Sequence, residues 1–345
     1  MRTRILKVNP RRPELQKIRE AAKMIKRGSI VAFPTETVYG LGANALDSKA
    51  VRKIFVAKGR PSDNPLIVHI YDKSDLARLA VDVPKIMDRI SEKFWPGPLT
   101  VVLRKTKIVP KITTGGLDTV AVRMPSNLIA RSLIREAGTP IAAPSANYFG
   151  RPSPTAAEHV LEDMNGRIGL VIDGGRTRIG IESTVIDLTS NIPILLRPGG
   201  VSIEQLQKEI GRVVIHPLLR GKKSRAAHRS PGMKYKHYTP NAQVILVEGQ
   251  SGKVRKKIIR LAGKLKKQGK RVGVVCMSKA RYNAHAVRVV GPSYEKFAAS
   301  LFGTFREFDL KKIDVILVQA IPKKGIGFGI MNRLEKAAST KIKAD

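Results

Sequence analysis

One turn of the sequence reads Lys58-Gly59-Arg60-Pro61-Ser62-Asp63-Asn64-Pro65-Leu66. The segment before it begins at Ser48 and spaces its apolar residues as a helix does, and Gly59 suits the left-handed position that ends a helix. The apolar run from Leu66 to Ile70 follows directly and predicts a buried strand. Because a helix leads into a buried strand through a short turn, this stretch indicates an α/β fold.

The same turn has the chemistry of a phosphate site. Lys58 and Arg60 flank a glycine, and two prolines stiffen the residues that follow. Both cations would project from a rigid corner. An ordinary helix end also collects Lys and Arg, because cations complement its negative end. The turn alone therefore leaves a phosphate site and a plain helix terminus equally open.

Helices and short strands alternate over residues 1–215. The helical spacing predicts helices at 14–27, 48–58, 84–94, 127–137 and 155–164, and the apolar runs predict strands at 29–33, 66–70, 100–103, 120–123, 169–172 and 184–188. Several of these strands are separated by too little sequence for a helical crossover, so parallel pairing alone does not account for them. We predict an N-terminal α/β domain with a twisted, mixed sheet.

Residues 216–240 interrupt this alternation. They carry seven basic residues and no Asp or Glu: Arg220, Lys222, Lys223, Arg225, Arg229, Lys234 and Lys236. An inert spacer needs only polarity, whereas the half from Ser230 to Pro240 adds tyrosines, a histidine and prolines. We therefore favour a basic linker that covers a ligand over a plain connection.

A second, smaller α/β unit spans residues 241–345 and is predicted to be Rossmann-like. Apolar runs at 244–247, 272–276 and 315–318 predict its strands. The helix between the first two strands has a fully basic outer face, which is a candidate surface for RNA. The run Gly325–Gly329 resembles a dinucleotide fingerprint only superficially, since too little chain follows to supply a further strand with an acidic ribose ligand.

Composition and charge narrow the class of protein. The chain has 345 residues with 42% hydrophobic content, enough for two domains, because single cores seldom grow past about 250 residues. Its 64 Lys and Arg against 27 Asp and Glu give a net charge of +37. Ion-pair networks in heat-adapted proteins raise both signs together and do not explain this imbalance. Nucleic acid and nucleotide phosphates both remain possible partners.

Several common chemistries find no support. The sequence has no phosphate loop of the Gly-Lys-Ser/Thr type and no serine elbow, and its six histidines lack zinc-ligand spacing. No apolar stretch approaches the roughly 20 residues that span a bilayer. The first residues lack the apolar region of a secretory signal. With a single cysteine, Cys276, we expect a cytoplasmic protein without membrane contact.

Six segments together resemble the successive motifs of the L-threonylcarbamoyl-AMP synthase family. They are Phe33–Leu41, Lys58–Leu66, Trp95–Thr100, Val122–Pro125, Pro144–Asn147 and Glu182–Val185. The linker half at 230–240 and the segment Gly329–Leu334 resemble the long two-domain form, so the resemblance covers nearly the whole chain. No motif position departs from the pattern.

The resemblance implies a nucleotidyltransferase reaction. L-threonine, bicarbonate and ATP, the last carrying Mg²⁺, would yield threonylcarbamoyl-AMP and pyrophosphate. The product would donate its threonylcarbamoyl group to tRNA, through handover to a tRNA threonylcarbamoyl transferase complex. Threonine and bicarbonate form a carbamate unaided, so the protein mainly has to position anions and neutralise charge. The motifs, rich in Lys, Arg, Thr, Ser and Asn, suit that task.

The resemblance also implies the site residues. Lys58 and Arg60 would act in catalysis on the ATP phosphates. ATP would further contact Ser62, Thr119, Ser145, Asn147, Ser153 and Arg197, with Lys234 and Tyr238 of the linker closing over the nucleotide. L-threonine would contact Thr35, His69, Arg123, Ala143 and Ser183. Closure would keep water from a labile mixed anhydride. No protein metal site is implied.

Taken without the family, several of these residues have ordinary structural explanations. Arg123 could form a salt bridge at the end of a strand. His69 could be a core residue whose hydrogen bonds are satisfied. The Ser and Asn residues could make the hydrogen bonds of turns or helix caps. The alternative function is a non-catalytic double-stranded RNA or tRNA binding protein, which the net charge favours. The C-terminal unit could also serve only as a docking platform for the transferase.

Overall fold

The computed structural model describes residues 2–221, 235 and 237–344. The chain divides into two compact units: Met1–Phe149 with Ser153–Tyr235, and Gly150–Pro152 with Lys236–Asp345. The domain boundaries placed at residues 215 and 240 from the sequence stay a prediction. Lys234 lies outside the described residues.

The described part of the first unit contains seven α-helices and twelve strands. The helices are α1 (Leu15–Lys26), α2 (Ser48–Lys58), α3 (Leu76–Leu79), α4 (Ile86–Phe94), α5 (Leu128–Ala137), α6 (Ala157–Met164) and α7 (Ile203–Ile210). The strands are β1 (Arg4–Lys7), β2 (Val31–Phe33), β3 (Gly40–Asn44), β4 (Ile67–His69), β5 (Ala80–Val81), β6 (Leu99–Lys105), β7 (Thr119–Arg123), β8 (Ile141–Ala142), β9 (Leu170–Asp173), β10 (Thr184–Asp187), β11 (Ile194–Arg197) and β12 (Val214–Ile215).

All twelve strands belong to one mixed sheet. Its order is β1-β9-β2-β3-β8-β4-β7-β6-β10-β11-β12, with β5 paired to β6. β4 runs parallel to β7, whereas β6 runs antiparallel to β7. Parallel pairs need a crossover and antiparallel pairs do not, so the short spacings in the sequence are explained. The predicted mixed α/β sheet is confirmed.

The turn after α2 has the geometry that its sequence predicts. Asp47 caps the start of α2 by accepting hydrogen bonds from the amides of Lys49 and Ala50. The helix ends at Lys58, and Gly59 takes the left-handed conformation with φ of 60°. A Cβ at Gly59 would lie 2.8 Å from the hydroxyl oxygen of Tyr148. Both the backbone angle and the close neighbour therefore require glycine here.

The core of the first unit lies where α1 and α5 pack against the sheet. Ile18 and Ile25 from α1, and Leu133 from α5, are fully buried together with Val31 and Ile172 from the strands. Complete burial of one such side chain stabilises the fold by about 1.5–3 kcal/mol. This layer holds the strands that carry the candidate site.

The second unit has a five-stranded parallel sheet. Its strands are β13 (Gln243–Glu248), β14 (Val272–Cys276), β15 (Ala286–Val289), β16 (Val315–Gln319) and β17 (Thr340–Lys343), in the order β15-β14-β16-β13-β17. The helices are α8 (Ser251–Lys267), α9 (Tyr294–Leu310) and α10 (Ile326–Ala337). The parallel sheet and its helices confirm the predicted Rossmann-like class. The strands β13 and β14 follow each other in the chain but are not neighbours in the sheet, because β16 lies between them.

The glycine run of the second unit opens α10. A Cβ on Gly327 would lie 2.4 Å from the carbonyl oxygen of Pro322, so this glycine allows a close backbone approach.

None of the helices in the described ranges is long and apolar enough to cross a membrane.

Candidate functional site

Arg123 ends β7 and is almost completely buried. Its Nε donates to the carbonyl oxygen of Gly97 at 3.2 Å, Nη1 to the hydroxyl of Thr37 at 3.0 Å, and Nη2 to Glu36 Oε1 at 2.6 Å. A guanidinium has five N–H donors, so two remain for a ligand. Arg123 is thus held rigidly while its fork keeps capacity for an anion.

The loop after β2 fixes the other side of this cluster. The Thr35 hydroxyl donates to the carbonyl oxygen of Val38 at 2.7 Å and lies 2.8 Å from the Thr37 hydroxyl. Because the Thr35 proton is donated to Val38, the Thr37 hydroxyl must donate to the Thr35 oxygen. The Thr37 hydroxyl in turn accepts from Arg123. The hydrogen bonds therefore run in one direction, from Arg123 to Thr37 to Thr35.

The ion pair between Arg123 and Glu36 is buried on both sides. Burial raises the pKa of the Glu36 carboxyl. The charge of Arg123, its hydrogen bond, and the backbone amides of Glu36 and Ser126 outweigh that effect and leave the pKa below its usual range. Glu36 is therefore ionised at neutral pH.

His69 ends β4 and pairs in register with Arg123 and with Ile141. Burial, reinforced by the charge of Arg123, lowers the pKa of His69 to about 3, so the imidazole is neutral. Its Nδ1 makes no hydrogen bond with any described residue. Ala143 lies beside the same strand, since its amide donates to the carbonyl oxygen of Ile67 at 2.9 Å.

Ser183 connects the Arg123 cluster to Arg197. Arg197 donates from Nε to the Ser183 carbonyl oxygen at 3.0 Å and from Nη2 to its hydroxyl at 3.1 Å. That hydroxyl lies 2.8 Å from the hydroxyl of Thr100, and Thr100 pairs with Arg123 between β6 and β7. The structure thus brings together Arg123 and Ser183, expected at threonine, with Arg197, expected at the nucleotide.

Lys58 is buried, and its ammonium donates to the carbonyl oxygens of Ser145 and Asn147, both at 2.5 Å. Because it lies at the end of α2, its contacts join the helix terminus to the segment after β8. Lys58, Ser145 and Asn147 are therefore neighbours, and their contact with ATP stays a prediction.

Arg60 folds back over its own turn. Its guanidinium donates to the carbonyl oxygens of Asn64 and Pro65, at 3.3 and 3.1 Å from Nη2, and lies 6.0 Å from the ring centre of Phe149. Ser62 in this turn is exposed. Thr119 begins β7, where it pairs in register with Arg104 of β6, and its contact with a nucleotide stays a prediction.

Ser153 is placed by a buried carboxylate. Its hydroxyl donates to Glu182 Oε1 at 2.6 Å, and Glu182 directly precedes Ser183 in the chain. Ser153 therefore lies next to the segment that Arg197 holds.

Tyr238 belongs to the second unit, where its ring stacks on Phe302 with centres 5.3 Å apart and Arg333 lies 5.7 Å from its centre. Its closing over a nucleotide stays a prediction, as does the same role for Lys234. Tyr235 belongs to the first unit, where its hydroxyl lies 2.8 Å from Asp63 Oδ1 and its ring packs edge-on against Phe149.

Sequence reasoning gave no role to several residues of this cluster. Glu36 and Thr37 were quoted within a motif, and their polarity in a buried run was an available signal. Thr100 and Glu182 were also quoted within motifs, and Tyr235 within the linker, but nothing local indicated their partners, which lie far away in the chain.

Several charged side chains of the cluster are buried. They are Lys58, Arg60, Arg123 and Arg197, with the carboxylates of Glu36 and Glu182.

Two family models match the chain. The telomere recombination model of Sua5, YciO and YrdC proteins matches residues 23–199, and the model of the threonylcarbamoyl-AMP synthase C-terminal domain matches residues 201–339. Threonylcarbamoyl-AMP synthases of Pyrococcus abyssi and Bacillus subtilis are 54% and 46% identical, covering 96% and 94% of both chains. The crystal structure of P. abyssi Sua5 complexed with L-threonine superposes with a TM-score of 0.95 at 52% identity, covering 99% of this chain and 100% of that one. The chain belongs to the threonylcarbamoyl-AMP synthase family.

Proposed function

We propose that this protein forms threonylcarbamoyl-AMP and pyrophosphate from L-threonine, bicarbonate and ATP. The observation that carries the proposal is the arrangement of two buried arginines: Arg123 pairs in register with Thr100, and the Thr100 hydroxyl contacts Ser183, which accepts from Arg197. Two guanidiniums on one sheet support the proposal, because a carbamate and a nucleotide that react must be held close together. The relative with L-threonine bound supports the choice of amino acid.

L-threonine would bind at the Arg123 end of the cluster. The two remaining N–H groups of Arg123 suit its carboxylate. Neutral His69 and the hydroxyls of Thr35 and Ser183 offer hydrogen bonds to the rest of the molecule, with Ala143 as a small neighbour. The buried setting excludes water from these hydrogen bonds and strengthens them.

ATP would bind at the other end, with Lys58 and Arg60 at its phosphates. Ser62, Thr119, Ser145, Asn147, Ser153 and Arg197 complete the proposed nucleotide set. The carbamate oxygen attacks the α-phosphorus, a new P–O bond forms, and the bond to the β-phosphate oxygen breaks to release pyrophosphate. Lys58 and Arg60 neutralise the charge that develops on the phosphates.

Magnesium would arrive with ATP, and its preferred ligands are hard oxygens. Among the residues that the structure describes, no group of three or more His, Cys, Asp or Glu side chains could hold a metal ion, so the nucleotide itself would carry the ion into the site. When bound, it would neutralise phosphate charge.

The product is a mixed anhydride that suits transfer to an amine. We infer that it is handed to a tRNA threonylcarbamoyl transferase complex for modification of adenosine in tRNA, in the cytoplasm, where ATP and tRNA are available. Lys234 and Tyr238 remain our proposed linker residues for covering the nucleotide during turnover.

The test is pyrophosphate release from ATP by the purified protein with Mg²⁺ and without RNA. Release should require both L-threonine and bicarbonate. Replacing L-threonine with L-valine, which matches its shape but lacks the hydroxyl, is the matched control. Release that ignores either cosubstrate would overturn the proposal.

A second candidate function, binding of tRNA or double-stranded RNA, rests on α8 and the residues after it. Residues 251–271 contain ten Lys and Arg and no Asp or Glu. Within the described residues, Arg255, Lys256, Arg260, Lys264 and Lys267 are exposed and form no ion pair with an acidic side chain. Such a surface suits a phosphate backbone.

A further inference from the structure

Glu36 lies beside Arg123 at the end of the site that we assign to the amino acid. Only 5% of its surface is exposed. Its Oε1 accepts from Arg123 Nη2 at 2.6 Å. The loop that carries it is anchored on its other side, because the amide of Ile179 donates to the Glu36 carbonyl oxygen at 2.8 Å. Glu36 is therefore held in place by its backbone as well as by Arg123.

The second carboxylate oxygen of Glu36, Oε2, is buried and has no hydrogen-bond partner in the described ranges. The backbone amides of Glu36 and Ser126 favour the ionised carboxyl, but neither forms a hydrogen bond with Oε2. The carboxyl is ionised, so this oxygen carries negative charge in a place that water reaches poorly. A buried acceptor without a donor costs about 1–3 kcal/mol, and more when it is charged. A ligand that brings a donor to Oε2 would recover that cost.

The charges of the pair suit one class of ligand. An α-amino acid carries an ammonium and a carboxylate on one carbon atom. Arg123 Nη2 donates to Glu36 Oε1 at 2.6 Å, so a cationic donor and an anionic acceptor lie side by side. Arg123 also keeps two N–H groups, as described above.

We propose that Glu36 is a further substrate-binding residue, whose Oε2 receives the α-amino group of the amino-acid substrate while Arg123 binds the α-carboxylate. The pair then forms a closed ring of opposite charges with the zwitterion. This inference rests on the proposed function, and it adds a contact to the amine, for which the proposed threonine-binding residues include no carboxylate.

The contact has a consequence for the carbamate. Carbamate formation joins the amine nitrogen to the carbon of bicarbonate and releases one water and one proton. It leaves a nitrogen with one N–H, and that N–H still donates to Oε2. The new carboxylate on the nitrogen is an anion and is repelled by Glu36. It is therefore directed away from Glu36, towards the cations at the nucleotide end. Glu36 thus orients the nucleophile as well as binding its precursor.

The experiment compares two ligands by calorimetry, without turnover. One is L-threonine, and the other is 3-hydroxybutanoate of matching configuration, which lacks only the amine. Glu36→Gln keeps an oxygen for Arg123 but places a neutral amide at the other position. Glu158→Gln, which removes an exposed carboxylate paired with Arg176, is the matched control, and thermal unfolding of each variant reports on folding.

We expect Glu36→Gln to weaken L-threonine binding about tenfold or more, and binding of the analogue less than threefold. Equal losses for both ligands would show that Glu36 only positions Arg123 and would overturn the inference. Unchanged L-threonine affinity would overturn it too. No binding of L-threonine to the unaltered protein would instead refute the proposed function together with the inference. Glu36→Asp, which keeps the charge, should restore part of the preference for the amine, and this rescue separates charge from folding effects.

Discussion

The hydroxyl of Tyr235 lies 2.8 and 2.9 Å from the two carboxylate oxygens of Asp63, although 172 positions separate them in the chain. Asp63 belongs to the turn that carries Lys58 and Arg60. The Tyr235 ring also meets Phe149, which lies under the Arg60 guanidinium. Tyr235 therefore contacts the turn at Asp63 through its hydroxyl, and the neighbouring Phe149 through its ring.

The Tyr235 hydrogen bond should couple to Asp63 in a double-mutant cycle. Tyr235→Phe and Asp63→Asn should each lower the free energy of unfolding by about 0.5–1.5 kcal/mol, and the double variant by less than their sum, because both remove one interaction. Chemical denaturation measures all four proteins. Tyr71→Phe is a control for loss of a phenol elsewhere, and strict additivity of the pair would contradict the coupling.

Lys58→Ala should abolish most ATP use. Loss of one preorganised cation at the phosphates should lower the rate of pyrophosphate release by about 100-fold or more. RNA binding should change little, since Lys58 is buried. Lys49→Ala, at an exposed position of the same helix, is the control for charge. A rate within threefold of the unaltered protein would remove Lys58 from the reaction.

Arg123→Lys should raise the KM for L-threonine by about 10- to 100-fold. Lysine keeps the charge but cannot serve Glu36, Thr37 and a substrate carboxylate with one planar fork. Steady-state kinetics at saturating ATP measures the effect. Arg135→Lys on the exposed side of α5 should leave KM unaltered. If Arg123→Lys behaves like that control, the carboxylate binds elsewhere.

His69 should make stability depend on pH in a defined direction. Its pKa is about 3 in the folded protein and about 6.5 when unfolded, so below pH 6.5 the unfolded chain binds a proton that the folded protein does not. The contribution of His69 to the free energy of unfolding is therefore complete above about pH 6.5. It decreases as the pH falls towards 3, by up to about 1.4 kcal/mol per pH unit. The pKa of Glu36 is also lowered in the folded protein, so its contribution to the free energy of unfolding is lost only below about pH 4.3.

Denaturation of the unaltered protein and of His69→Gln between pH 7 and 5 isolates this effect. The difference in unfolding free energy between the two should shrink as pH falls. Parallel curves would show that His69 is as easily protonated in the folded protein as in the unfolded chain.

Charge reversal tests the RNA surface. Lys256→Glu with Arg260→Glu should weaken tRNA binding and reduce the salt slope by about 2. Lys23→Glu with Lys26→Glu, on the exposed last turn of α1, makes the same change in net charge elsewhere. Equal losses from both pairs would attribute RNA binding to the general field of the protein and not to α8.

Local sequence signals predicted the elements whose stability is local. α2 was predicted from Ser48 to Lys58 because its apolar spacing and Gly59 agree, and the structure has the same bounds. β3, Gly40–Asn44, was not among the predicted strands. Its glycines and asparagine are poor strand formers, and it is a strand because β2 and β8 pair with it on either side.

The site was predictable in its residue types and not in its pairings. Arg123 stood out by its motif, but its partner Glu36 is 87 positions away, and no periodicity relates the two. The same holds for Thr100 and Ser183, which are 83 positions apart. Such contacts follow from strand order, and strand order in a mixed sheet is not written in any single segment.

The strand order also affects how the protein folds. The proposed site draws side chains from or beside β2, β4, β7, β8, β10 and β11, and its members run from Thr35 to Arg197. Most of these pairings join distant parts of the chain, which slows folding. No early fragment can possess the site, so a ligand that binds it stabilises only the completed sheet. Recovery of ligand affinity during refolding would therefore report the last step of assembly, after helices such as α2 have already formed.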